Sequence, residues 1–356
     1  MRLLRVAQKL YPDVTGGGPY HVHAMSRDQA AMGHDVTVLT VRSDRSLPDR
    51  EERDGYTIRR FDPQFSPLGN DLSVGLAKFL HRADDFDVIH AHSHLYFATN
   101  LAALKRRLGG TPLAITNHGL MSQTAPEWVF ELYLKSLGRW TFNCADAVFC
   151  YTETDKQRVR EYGVSAPIEV VPNGIDTERF TPTGPESELL EHDGTTVLFV
   201  GRLVEGKRPG DAIEAIDSLP EDIALYLCGN GPLREELESE AGDRCTFLGS
   251  LPYEEMPAVY RAADLLVLPS RAEGTPRTVM EALASGVPVV SSDLPHVRSA
   301  FGDRVSYFEC GDVEGLVGAV ESALASESAG ELDDQFRWSQ TVEETTACLE
   351  GLVEDA

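Results

Sequence analysis

The sequence predicts an α/β protein of two doubly wound domains, each a mostly parallel sheet, facing one another across a central cleft. Three observations carry this expectation. Short apolar segments of strand length alternate with longer segments of helical spacing along the chain. The alternation stops at a stretch rich in Pro, Gly and acids, 177–194, and then restarts. A length of 356 residues holds two domains of ordinary size. The expected division is 1–177, then 178–334, then a C-terminal helical segment at 335–356.

In the first half, RLLRVAQ (2–8) reads as a buried strand. Gly16-Gly17-Gly18-Pro19 reads as a loop, and 20–32 carries helical spacing. Further strands are expected around VTVLT (36–40), DVIHAH (87–92), PLAITN (112–117), AVFCYT (147–152) and IEVVP (168–172). In the second half, TVLFVG (196–201), ALYLCG (224–229), CTFLG (245–249), LLVLP (265–269) and PVVSS (288–292) repeat the pattern. The stretch 177–194 is expected to be a linker, and the acidic run 326–334 a solvated loop. In sheets of this kind ligands bind beyond the C-terminal ends of the strands, so the chemistry is expected in the loops that follow them.

Composition narrows the function. Asp and Glu number 57 against 32 Lys and Arg, a formal net charge of −25. Such a chain repels polyanions, which disfavours nucleic acid as a partner. Lysine supplies six of the basic residues, and Lys207 is the last of them. Self-repulsion of this size is relieved at high salt, where the Debye length falls to ~3 Å at 1 M, so a salt-loving protein is expected. Six cysteines without a CxxC pair suit a reducing, cytoplasmic setting. No apolar run reaches the ~20 residues of a membrane span, and the N-terminus lacks the pattern of a secretory signal.

Several loops carry chemistry. Gly201-Arg202-Leu203-Val204-Glu205-Gly206-Lys207 follows a strand and sets two cations five residues apart. An Arg fork and a Lys point charge suit a diphosphate, and two solvated surface charges are the bland alternative. Glu273 lies in a loop with Gly274, Thr275 and Pro276, followed by Arg277, Thr278, Val279 and Met280, and Glu281 is expected on the first turn of the helix that follows. Backbone N–H groups at that helix start suit an anion, and a carboxylate there suits ribose hydroxyls. The Gly16–Gly18 loop admits a phosphate but equally a plain turn, and it is not a dinucleotide fingerprint. His118, after a strand, is placed to donate a hydrogen bond to a sugar or phosphate oxygen, or to serve the loop structurally. His90, His92 and His94 alternate and are expected on one strand face, where packing or substrate contact outweighs a metal site. The apolar stretch 127–143, with Trp128, Phe130, Tyr133, Lys135, Arg139 and Trp140, reads first as a buried helix with snorkelling cations and second as a membrane or lipid contact.

Taken in order, these motifs resemble the retaining family-4 glycosyltransferases of the GT-B fold, the glycosyl transferases group 1. The resemblance spans nearly the whole chain, from TGGGPYHV and MGHDVTVLT through DVIHAH, NHG and VPNGIDTERF to GRLVEGK, LCGNGPL, FLGSLPYEEMPAVYRAADLLVLPS, EGTPRTVMEALASGVPVV and Phe336-Arg337-Trp338. It implies two Rossmann-like domains, with the C-terminal helix crossing back to the first. It also implies that Gly17 approaches the donor diphosphate, that Arg202 and Lys207 hold it, that Glu281 binds the ribose and that Leu251 lies near the base. Glu273 would contact the donor sugar beside the amides of Thr275 to Val279, Arg277 and Thr278 included, and His118 would help position that sugar. Where the family often has phenylalanine this chain has Thr275, which bears on sugar identity.

The resemblance further implies a UDP- or GDP-hexose donor, retention of configuration, and neither cofactor nor metal, the nucleotide sugar being a substrate. The acceptor would be a lipid, a glycan or a small molecule, with a peripheral membrane contact left open. A nucleotide-sugar epimerase and a non-catalytic nucleotide-sugar-binding module are the competing readings. The first needs a base of its own, and the second has no need of Arg202, Lys207, Glu273 and Glu281 together.

Overall fold

The computed structural model describes residues 1–120, 127–326 and 331–356. It divides into two compact units, one formed by Met1–Pro172 with Gln340–Ala356, the other by Asn173–Ser339. Both are α/β units with a Rossmann-like sheet.

The first unit follows the order β1 (Arg2–Val6), α1 (Gly17–Ala31), β2 (Asp35–Val41), β3 (Arg50–Arg53), β4 (Tyr56–Phe61), α2 (Val74–His81), β5 (Val88–His92) and α3 (Phe97–Arg107). It continues with β6 (Leu113–Thr116), α4 (Glu127–Tyr133), α5 (Arg139–Asn143), β7 (Ala147–Cys150), α6 (Glu153–Glu161) and β8 (Ile168–Val170). The sheet order is β3-β4-β2-β1-β5-β6-β7-β8, parallel throughout except for the β3–β4 hairpin at one edge. The order reverses beside β1, which places a switch point at the C-terminal ends of β1 and β5. The β3–β4 hairpin escaped the sequence reading because its strands, REER and YTIRRF, carry charge instead of an apolar run.

Strand β1 buries Arg5 completely. Its guanidinium donates to Ser26 Oγ at 2.8 Å and Gln29 Oε1 at 2.5 Å on α1, so polar partners replace water although no carboxylate is among them. Burial lowers its pKa to about 9. Gln29 in turn donates to Thr346 Oγ1 at 2.9 Å on the C-terminal helix α13 (Trp338–Glu354), and Thr341 Oγ1 donates to the Pro172 carbonyl at 2.7 Å. These bonds fasten the end of the chain to the first unit.

The second unit runs β9 (Thr195–Val200), α7 (Pro209–Ser218), β10 (Ile223–Cys228), α8 (Arg234–Glu240), β11 (Cys245–Gly249) and α9 (Met256–Arg261). Then come β12 (Leu265–Leu268), α10 (Arg277–Ala284), β13 (Val289–Ser292), α11 (Pro295–Phe301), β14 (Ser306–Phe308) and α12 (Val313–Leu324). All six strands are parallel, in the order β11-β10-β9-β12-β13-β14. The short β14, with only Phe308 of its SYF buried, was not expected from sequence.

Two regions differ from expectation here. The stretch 177–194 is no linker: Phe180 and Leu190 are buried in the core of the second unit with Tyr260 and Met256. Two apolar side chains outweigh the Pro and Gly around them, since burying each yields roughly 1.5–3 kcal/mol. The segment therefore wraps the unit, and the division between units falls before it, at Pro172. In the acidic run 326–334, residues 327–330 lie outside the described ones; beyond them Leu332 packs against the core and Asp333 pairs with Arg304.

Candidate functional site

In the second unit β9 ends at Val200, and the Gly201–Lys207 loop packs against the loop after β10. A Cβ at Gly229 would lie 1.8 Å from the Gly201 carbonyl oxygen, and one at Gly231 would lie 2.2 Å from that of Leu203. Only glycine permits this approach, and Gly229 also has φ +145°. The Leu203 amide donates to the Asn230 carbonyl at 3.1 Å, closing the two loops together. Arg202 is exposed on this loop, and Lys207 ends a short 3-10 turn, Glu205–Lys207. Left-handed Arg208, φ +51°, then turns the chain into α7.

The loop after β12 comes to meet this one. The Arg271 amide donates to the Gly206 carbonyl at 2.9 Å, and Lys207 Nζ pairs with Glu273 Oε1. A cation and a carboxylate 66 residues apart in sequence thus share one place, both largely shielded from solvent. Thr275 is buried, and its Oγ1 has no hydrogen-bond partner among the described residues.

Helix α10 begins at Arg277 behind Pro276, so Glu281 lies in its second turn and not, as expected from sequence, in its first. Proline fixes the N-cap one turn earlier than the apolar run suggested. The difference matters, because Glu281 points into the unit and is buried. Its Oε1 accepts from Tyr253 Oη at 3.0 Å and its Oε2 from Tyr260 Oη at 3.0 Å. Arg277 Nε lies 3.6 Å from Oε1, and its Nη2 donates to Tyr253 Oη at 3.0 Å. Burial pushes the Glu281 carboxyl above its ordinary range, while Arg277 and the two hydroxyls pull it back. Leu251 lies half-buried beside this cluster. Val279 points into the core, so toward a ligand it has only backbone to offer, whereas Arg277 and Thr278 are partly exposed. Sequence reasoning missed Tyr253 and Tyr260. Their spacing seven apart in YEEMPAVY was visible, but nothing linear tied them to Glu281.

In the first unit the candidate residues gather at the C-terminal ends of β1, β5, β6 and β7. Gly17 is not in a loop: it opens α1, with Gly16, φ +137°, as N-cap. The glycines thus bring a helix start close to the strand end, and Gly17 is exposed there. One turn on, His21 is buried with its ring edge toward that of His118, centroids 5.3 Å apart. His118 is held at both ring nitrogens: Nδ1 lies 2.9 Å from Tyr151 Oη, and Nε2 lies 3.0 Å from His92 Nδ1. His90 stacks next to His92 at 4.4 Å, its Nε2 2.7 Å from Thr116 Oγ1.

His94 does not share their face. Strand β5 ends at His92, and Ser93 has φ +64°, which breaks the two-residue alternation. His94 instead packs among Phe130, Tyr133 and Phe142, with no hydrogen-bond partner for either ring nitrogen among the described residues. Burial pushes its pKa down to about 3 and that of His118 to about 4, and lowers those of His90 and His92 well below the usual imidazole value. All four rings are therefore neutral at pH 7. Among the described residues no three His, Cys, Asp or Glu side chains are grouped to hold a metal ion.

The stretch 127–143 is not one buried helix. Leu134–Gly138 form a π turn between α4 and α5. Phe130, Leu134 and Phe142 face the core, but Trp128 is 72% exposed, Leu132 62%, Leu137 44% and Trp140 37%. No helix among the described residues is long and apolar enough to cross a membrane.

Comparison with known proteins gives this geometry a family. The model of Glycosyltransferase Family 4 matches residues 15–179, and that of Glycosyl transferases group 1 matches residues 181–341. The glycogen synthase of Mycobacterium tuberculosis is 29% identical, over 98% of this chain and 94% of that protein. Among solved structures, sucrose-phosphate synthase from Thermosynechococcus elongatus superimposes with a TM-score of 0.83 at 21% identity, covering 100% of both chains. Anabaena HepE, solved in complex with UDP-glucose, gives 0.81 at 20% identity over 99% of this chain and 100% of its own. The two family models tile the chain in tandem, and the fold is that of the GT-B glycosyltransferases: the chain belongs to glycosyltransferase family 4.

Proposed function

We propose that the protein is a retaining, metal-independent glycosyltransferase that moves a hexose from a UDP- or GDP-sugar to a lipid, glycan or small-molecule acceptor. The observation that carries this reading is the meeting of Lys207 and Glu273 in the second unit, with Arg202 on the Lys207 loop. A Lys and an Arg beside a largely buried carboxylate offer cations for a diphosphate and an acceptor for the hydroxyls of the attached sugar. In this reading Lys207 neutralises Glu273 until a donor arrives; the diphosphate then takes over the cation and leaves the carboxylate to the sugar. Both cations face charge that grows as the glycosidic bond breaks, so their contacts strengthen in the transition state. Glu281, set by two tyrosine hydroxyls, would receive the ribose. The Thr275 hydroxyl, buried and without a partner among the described residues, would add a polar contact to the sugar. HepE in complex with UDP-glucose supports the donor class.

The test is nucleotide release from UDP- and GDP-hexoses, with and without added acceptors. Acceptor-stimulated release supports transfer. Sugar isomerisation without release would select the epimerase, and a thermal shift without turnover the binding module. A donor at 100 times its dissociation constant should stabilise by ~2.7 kcal/mol.

The exposed stripe favours a lipid setting for the acceptor. A π turn adds one residue per turn, so steps of four, five and three residues keep Trp128, Leu132, Leu137 and Trp140 on one face. Lys135 and Arg139 stand exposed along it, in a chain of net charge −25. Tryptophans flanked by cations suit an anionic lipid surface. Co-sedimentation with phosphatidylglycerol vesicles, lost in a Trp128→Ser/Trp140→Ser variant, is expected; equal recovery of both proteins would count against it.

A further inference from the structure

We propose that His92 and Tyr151 are positioning residues for His118: His92 donates from Nδ1 to His118 Nε2, and His118 donates from Nδ1 to the Tyr151 hydroxyl oxygen, so that Nε2 of His118 is kept as an acceptor. The inference rests on the reading of His118 as a contact of the transferred sugar. Three steps lead to it. Arg5 Nη2 lies 3.4 Å from His90 Nδ1, and a guanidinium can only donate, so the His90 proton is on Nε2 and goes to Thr116 Oγ1. His90 therefore makes no demand on its neighbour His92. Between His92 Nδ1 and His118 Nε2, 3.0 Å apart, a single proton is shared, because burial keeps both rings neutral.

Which ring holds that proton is decided at the far side of His92. Its Nε2 is buried and has no hydrogen-bond partner among the described residues. If His118 donated, that nitrogen would carry an orphaned N–H; if His92 donates, it carries only an idle lone pair. Buried orphan N–H groups are the rarer of the two in folded proteins. The proton therefore sits on His92 Nδ1. His118 then has its own proton on Nδ1, 2.9 Å from Tyr151 Oη, which accepts it. Among the described residues the titratable rings facing His118 are those of His21 on α1, His92 on β5 and Tyr151 after β7, and burial holds His92, the one that meets Nε2, neutral at pH 7. The consequence for the reaction is specific. A sugar hydroxyl that displaces His92 finds a lone pair at His118 Nε2 and donates into it, so His118 receives a hydrogen bond from the sugar where the sequence suggested that it gives one.

The experiment is a long-range proton–nitrogen correlation spectrum of the full chain labelled with ¹⁵N-histidine, at pH 7.5 without ligand, with His118→Gln to assign the signals. The expected spectrum shows His118 protonated at Nδ1 and bare at Nε2. Tyr151→Phe should raise the population protonated at Nε2 and lower kcat about tenfold through misplacement of the ring. His92→Leu should act likewise, whereas His92→Gln, whose amide can still donate, should keep the wild-type tautomer. Thr116→Val, which removes the hydroxyl that meets His90 and keeps the backbone ladder, should leave His118 unchanged. A wild-type His118 protonated at Nε2 overturns the proposal, and so does an unchanged tautomer in both Tyr151→Phe and His92→Leu. Because the spectrum is read without substrate, failure of the transferase reading itself would appear separately, as wild-type protein that turns over no nucleotide sugar.

Discussion

Lowering the pH from 7 to 5 should destabilise the first unit through its buried histidines, and His94 gives the size of the effect. Its ring is fully buried against Tyr133 and Phe142, with both nitrogens unpartnered among the described residues, and its pKa is pushed down to about 3. An unfolded histidine titrates near 6.5. Below that value the unfolded chain binds a proton that the folded one refuses, so stability falls as pH falls. From 6.5 to 5 is about one and a half units at ~1.4 kcal/mol each, or ~2 kcal/mol from this residue alone. His118, with a folded value of about 4 but partly exposed, adds no more than a similar amount, and His90 and His92 act in the same direction. Against a typical total of ~5–15 kcal/mol this is a large share. The assay is urea unfolding at pH 7 and pH 5 in molar KCl, read by Trp128 and Trp140 fluorescence in a Trp338→Phe background. His94→Leu should lose ~2 kcal/mol less than its parent over the same interval, since contributions from carboxylates are common to both proteins and cancel. An identical pH dependence of parent and variant would refute the reasoning.

Other expectations follow from charge. Lys207→Ala and Arg202→Ala should each lower kcat at least about tenfold at saturating donor, the loss of one preorganised donor commonly costing ~10²–10³. Steady-state kinetics that show near-parental kcat in both variants would remove the diphosphate from this loop. Glu281→Gln should raise the donor KM more than it lowers kcat, because a ribose keeps its charge throughout; a kcat defect at unchanged KM would contradict that. With a net charge of −25, melting temperature and activity should rise from dilute buffer to molar KCl, and full stability in low salt would end the halophilic reading. Transfer should survive EDTA, whereas a strict need for Mg²⁺ or Mn²⁺ would point to a ligand set that has gone unrecognised.

The apolar runs placed most strands to within a residue or two, because a parallel strand covered on both faces is written as a contiguous hydrophobic segment. That is why RLLRV, VIHAH, TVLFV and LLVL were legible, while the charged β3–β4 hairpin and the three-residue β14 were not. Helix starts were less legible. Gly17 and Arg277 each begin a helix earlier than periodicity suggested, since caps are set by backbone geometry and by Pro276 instead of by apolar spacing. The linker reading of 177–194 failed for a related reason, as Phe180 and Leu190 outweigh the loop-forming residues around them.

By itself the sequence determined two parallel-sheet units and marked the loops whose side chains suit a diphosphate and a sugar, because strand pattern and side-chain chemistry are local properties. Partnership was decided only by the tertiary structure. Lys207 meets Glu273 across 66 residues, Tyr253 and Tyr260 close on Glu281, and Tyr151 and His92 hold the two nitrogens of His118. The same holds for the separate fates of His92 and His94, two residues apart on the chain and divided by one left-handed backbone angle at Ser93. Hydrogen bonds and ion pairs act over a few ångströms in space, and in a doubly wound sheet the residues that come so close arrive from the ends of different strands, at distances along the chain that no local pattern records.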